Sequence, residues 1–195
     1  MSEMEANREK LLSQIIEAHG KVVYTYTAHH KIIDRLTRRK ALLDWVEIII
    51  TSVSAVGLLS GFISNEMALK LVGGFSSAMS LAITLYTKND SLQISIREHT
   101  DAANDLWLIR EKYQSLIIDS DGMNTDQIQK ARTEIMFEVD QINRKYAGTD
   151  PKSYKAAQKA LKTNEEQYFA PGEAEQLLPH KQNDNDCYSG SKHCN

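Results

Sequence analysis

The sequence predicts an all-α protein: an integral membrane two-helix hairpin joined to amphipathic cytoplasmic helices that form a bundle. Three observations predict it. Two apolar runs, VEIIITSVSAVGLLSGFI from Val46 and MALKLVGGFSSAMSLAITLY from Met67, are separated by the polar break Ser64-Asn65-Glu66. Each is about 18 to 20 residues, which at about 1.5 Å per residue spans roughly 27 to 30 Å, the thickness of a hydrocarbon core. On both sides of these runs, apolar residues recur at spacings of three and four, and no strand alternation of any length appears.

Composition narrows the function classes. A net charge of −3 over 195 residues gives no electrostatic footprint for nucleic acid. The mean hydropathy of −0.43 resembles that of a soluble chain, because it averages two apolar runs with a long polar remainder. Cysteine is confined to Cys187 and Cys194, so no disulfide framework holds the body, and a reducing cytosolic setting fits it. The first apolar run begins some 45 residues in, behind a polar start, so a cleaved secretory signal is not expected.

Taken in order, residues 1–10 are a polar N-terminus and residues 11–179 form one domain. Over 11–44, Leu12, Ile15, His19, Val22, Tyr26, His29, Ile33 and Leu36 repeat at a period near 3.5, which predicts a long amphipathic helix. Its end is basic. Arg35, Arg38, Arg39 and Lys40 precede the first run, the break between the runs has no Lys or Arg, and Lys88 and Arg97 follow the second. The positive-inside rule then sets the topology, with both termini cytoplasmic and the turn outside the cell (inner) membrane. Trp45 and Tyr86 fall at one depth, as aromatic-belt residues would.

The hairpin, 46–86, carries charge inside its runs at Glu47 and Lys70, each near an end where a side chain can lean toward the headgroups. Small residues share faces. Ser54, Gly57, Ser60, Gly61 and Ser64 lie on one side of the first run, while Gly74, Ala78 and Ala82 recur at every fourth residue of the second; both sets predict helix packing. A separate strip, Gly73, Ser76, Ser77, Ser80, Thr84 and Thr87, carries hydroxyls. One hairpin uses about one small face to pack its two helices, so the surplus predicts a homo-oligomer in which the strip from Gly73 to Thr84 makes interhelical bonds or lines an aqueous path.

Cytoplasmic helices are expected over 92–178. Leu92, Ile96, His99, Ala103, Leu106, Arg110, Tyr113 and Ile117 share a face until the turn 119–122. Asn124-x-x-Gln127 is a capping pattern ahead of Ile128, Ala131, Ile135, Val139, Ile142 and Tyr146. Thr149 or Asp150 caps the next helix, Pro151 takes its first turn, and Tyr154, Ala157 and Leu161 mark its apolar side. Residues 180–195 are a polar tail of disordered composition.

Chemistry is sparse. His29 and His30 are adjacent and point to different faces, so a packing histidine bonded to a neighbour is favoured over a metal ligand. Cys187, His193 and Cys194 do not complete a four-ligand set, and Gly73-Gly74 lies inside an apolar run where it cannot cradle a phosphate. No nucleophile, P-loop or dinucleotide motif is present, so the sequence predicts no enzyme, no cofactor and no metal. The densest cytoplasmic motif, ANDLWLIREKY over 103–113, places Asn104, Trp107, Arg110 and Tyr113 together; a packed Trp with i, i+4 partners is favoured over a binding surface.

The order of these features, His29-His30-Lys31 with a basic helix end, a tight two-run hairpin, ANDLWLIREKY at 103–113 and SYKAAQKALKTNEEQYF at 153–169, resembles the SLATT domain family over roughly 11–179. Those are two-transmembrane effectors associated with SMODS nucleotidyltransferases and SLOG sensors in prokaryotic conflict systems. The resemblance implies a membrane effector that forms pores and depolarises the cell when infection or a nucleotide signal is sensed by a partner encoded nearby. A non-conducting anchor that recruits a cytoplasmic partner is the alternative, and a soluble bundle is a third.

Overall fold

The computed structural model describes residues 3–64, 67–87 and 91–177, and among them every regular element is helical. The predicted tail, with Cys187, His193 and Cys194, lies outside the described residues, as do Asn65, Glu66 and Lys88; the surroundings of Leu58, Gly61, Phe62, Ser64, Tyr86 and Thr87 are likewise not described.

Helix α1 runs from Glu3 to Ser64 without a break. The sequence suggests two elements, an amphipathic helix and a membrane run, but no Pro interrupts them and Asp44-Trp45 is as compatible with a helix as its neighbours, so the backbone passes straight through. At about 1.5 Å per residue its 62 residues extend about 93 Å. Two helices run back along it: α2, Met67–Thr87, covers its apolar end, and α3, Ser91–Asp119, covers its polar end. The seam is a heptad one. Leu11, Ile15, Val22, His29 and Ile32 of α1 are buried against His99, Ala102, Leu106, Ile109, Tyr113 and Leu116 of α3, positions that repeat every seven residues with three- and four-residue steps between. At the far end the Arg8 guanidinium donates to the carbonyl oxygens of Met123, at 2.8 Å, and Ser120, which ties the start of α1 to the end of α3.

A 3₁₀ turn, Ser120–Gly122, ends α3 and lets α4, Thr125–Lys145, turn back over it. The capping box that Asn124-x-x-Gln127 predicts is formed, each side chain meeting the other's backbone N–H at 2.9 Å. Ile128 and Ile135 are the buried residues of α4, with Ala131, Val139 and Ile142 packed beside them, and Lys112 reaches Glu138 at 2.7 Å across the α3–α4 pair. Helix α5, Pro151–Lys162, returns the chain to α1. Its inner face is Ser153, Ala157 and Ala160, while Tyr154, expected on that side, is half exposed and stacks on Tyr24 of α1 at 5.6 Å. Ser153, Ala157 and Ala160 are all small, and small side chains on one face let α5 lie close against α1. A one-turn helix α6, Glu173–Gln176, follows.

Candidate functional site

The site with the most unusual physical chemistry is the apolar helix pair. Along α1, Ile48, Ile49, Val53, Val56, Leu59 and Ile63 are exposed, and along α2 so are Leu71, Val72, Phe75, Met79, Leu81 and Leu85. Among the described residues one helix, over Met67–Leu85, is long and apolar enough to cross a membrane by length and composition; its 19 residues have a mean hydropathy of 1.5, yet only 6% of them are buried within the chain. An apolar helix in the core of a soluble bundle is mostly buried; this one turns its side chains outward.

Between the two helices the surface is small and polar. A Cβ placed on Gly57 would lie 3.1 Å from the Cα of Gly73 and 3.5 Å from the carbonyl oxygen of Leu69, so the two backbones touch at this glycine pair. Toward the polar end the antiparallel register then sets hydroxyl against hydroxyl. Thr51 Oγ1 lies 2.8 Å from Ser80 Oγ, and the Thr84 hydroxyl lies 2.5 Å from a carboxylate oxygen of Glu47. Ser54 and Ser77 sit between these levels and the glycines, each bonded at 2.9 Å to the carbonyl four residues earlier in its own helix.

Within the chain, then, Ser54 and Gly57 of α1 meet the strip that holds Gly73, Ser77, Ser80 and Thr84, with Ser76 half-buried at its margin. Gly74, Ala78 and Ala82 are exposed on the other side of α2, and nothing comes within 4 Å of a Cβ built on Gly74. Gly61 lies where surroundings are not described. Glu47 accepts from the Thr84 hydroxyl across the pair. With this face of α2 turned to α1 and the helices antiparallel, 47 with 84, 51 with 80 and 54 with 77 share one register.

Nearer the N-terminus, α1 and α3 enclose a histidine pair. The Nδ1 atoms of His29 and His99 are 2.8 Å apart, one ring donating to the other, and both side chains are buried. Burial, then the nearby charge of His99 and of His30, pushes His29 down to about 4; burial likewise lowers His99 and His30. Both rings are thus neutral at pH 7. His30 packs edge-on against Tyr26 at 4.6 Å, and Tyr26 meets Trp107 at 5.5 Å.

Trp107, 44% exposed, carries the Arg110 guanidinium 4.5 Å above its ring; Tyr113 is buried in the core and Asn104 is exposed. These four residues of ANDLWLIREKY therefore do not share one surface. The basic stretch divides too. Arg35 forms a two-pronged ion pair with Asp150 at the start of α5, which holds that carboxyl far below the usual carboxylate range, and Lys40 pairs with Asp44 at 2.8 Å. Lys31 pairs with Glu166 at 2.8 Å, and Gln167 donates to Thr27 at 2.9 Å, so the segment after α5 is also tied to α1. Between α1 and α5 a groove of about 370 Å³ is lined by Lys31, Arg35, Arg38 and Lys152 together with Asp34 and Ser153. Arg38 and Arg39 are exposed. Among the described residues no group of three or more His, Cys, Asp or Glu side chains is placed to hold a metal.

This architecture defines a class: an all-helical protein in which an outward-facing apolar helix pair is continuous with a polar, ion-paired bundle. The chain belongs to the SLATT family, matching its family 4, the SMODS and SLOG-associating 2TM effector domain, over residues 11–173. That description names an effector domain with two transmembrane helices, and membrane association follows from it. No curated protein and no solved structure matches the chain.

Proposed function

We propose that this chain is the membrane effector of a prokaryotic conflict or antiphage defence system. Its α1–α2 pair crosses the cell membrane with both termini cytoplasmic, and several copies assemble into a pore that collapses the membrane potential once a nucleotide or infection signal reaches it from a nearby sensor. The observation that carries this reading is the outward apolar face of α2, 6% buried over a membrane-length span. In water that face would be a large aggregation-prone patch; in lipid it costs nothing. The family description supports an effector role.

The polar ladder from Glu47–Thr84 to Thr51–Ser80 supplies groups that can line a conduit when neighbouring copies pack around it. A non-conducting anchor would carry the same outward face but would have no use for a carboxylate within it. Induced expression in a bacterial host, followed with a potential-sensitive dye, separates the two. The pore reading predicts depolarisation by the wild-type chain and its loss in a Ser80→Leu, Thr84→Leu variant that still reaches the membrane. An unchanged potential with wild-type chain in the membrane would favour the anchor.

A further inference from the structure

Glu47 is a carboxylate inside an apolar segment, two residues past Trp45. A side chain leaning to the headgroup layer takes water as its partner. Glu47 instead crosses to α2, where the Thr84 hydroxyl, 2.5 Å away, is its partner among the described residues in place of a cation. One helical turn earlier, Asp44 is already neutralised by Lys40 at 2.8 Å. One turn further into the pair, Thr51 and Ser80 add two more hydroxyl oxygens on the same line. A half-buried carboxylate with no cation beside it among the described residues can take a small cation from solution, and hydroxyl oxygens are the ligands that replace part of a cation's water.

We propose that Glu47, with Thr84, Thr51 and Ser80, forms the cation-selecting site of the assembly, a deepening that rests on the pore reading above. Repeated in each copy, Glu47 makes a ring of negative charge at the cytoplasmic mouth. Such a ring concentrates monovalent cations and excludes anions, and the three hydroxyls offer a cation its first protein ligands beyond the ring. Lys70, at the opposite end of α2, is the other charge in the pair and gives the comparison needed.

The test is the reversal potential of the full-length chain in liposomes of neutral lipid under a potassium chloride gradient. The wild-type chain is expected to prefer potassium over chloride. Glu47→Gln should reduce that preference several-fold, Glu47→Asp should keep it, and Glu47→Lys should invert it toward chloride, a positive readout that misfolding does not mimic. Lys70→Gln should leave the cation preference in place. A conducting wild-type chain that prefers chloride, or a preference that Glu47→Gln and Glu47→Lys leave unchanged, overturns this inference and leaves the pore standing. A wild-type chain that inserts and does not conduct overturns the pore reading, and this inference with it.

Discussion

Gly57 of α1 and Gly73 of α2 meet backbone to backbone: a methyl group on Gly57 would sit 3.1 Å from the Gly73 Cα and 3.2 Å from its nitrogen. This contact fixes the distance between the two helices, and the hydroxyl pairs nearer their polar ends depend on it.

A side chain at Gly57 should therefore separate the helices. Gly57→Ile is expected to cost about 1 to 3 kcal/mol, the usual penalty of overpacking, and to break the Thr51–Ser80 and Thr84–Glu47 bonds. Gly74→Ala, at a position where an added Cβ meets nothing within 4 Å, should leave the folded chain unchanged. Thermal melts in detergent, with protease resistance as a second readout, distinguish the two substitutions.

The histidine pair makes stability depend on pH. His29 is held neutral in the fold at about 4, well below its ordinary value near 6.5, so the unfolded chain binds more protons between those limits. Stability from this group is complete above about 6.5 and is lost as pH falls toward 4. At roughly 1.4 kcal/mol per pKa unit the loss approaches about 3 kcal/mol. Unfolding followed by circular dichroism from pH 7 to pH 4.5 should show this slope, and His29→Leu with His99→Leu should flatten it.

Asp150 both caps α5 and pairs with Arg35, roles that two substitutions separate. Its carboxylate accepts from the Ser153 N–H at 2.7 Å, and an asparagine can do the same. Asp150→Asn is expected to cost below about 1 kcal/mol, because the ion pair is partly exposed and its worth is discounted by solvent. Asp150→Ala removes the cap as well and should cost about 1 to 2 kcal/mol. Hydrogen exchange across 151–162 reports the difference.

Much of this arrangement was legible in residue spacing. The heptad positions of α1 and α3, the Asn124–Gln127 capping box and the Asp150-Pro151 start of α5 are local patterns, and local patterns survive folding. What spacing could not decide was which side of α2 faces α1. Gly73 and Gly74 are neighbours, so each heads a stripe of small residues and a helical wheel ranks the two alike. The choice depends on what α1 presents, namely Gly57 for the close approach and Thr51 and Glu47 for the hydroxyls. On α5, attention to large residues favours Tyr154 and Leu161, whereas the buried face is Ser153, Ala157 and Ala160, whose small size lets the helix lie close against α1. The fusion of two elements into α1 leaves no mark except the lack of a breaker.

Cysteine labelling tests most directly whether the α1–α2 pair crosses a bilayer with both ends on the cytoplasmic side, as proposed. In a chain carrying Cys187→Ser and Cys194→Ser, a single Asn65→Cys should react with a membrane-impermeant maleimide in intact cells. The natural Cys187 and Cys194, in the otherwise unaltered chain, should react only after the membrane is permeabilised. Labelling of the tail cysteines in intact cells, or protection of position 65 until permeabilisation, would contradict the account.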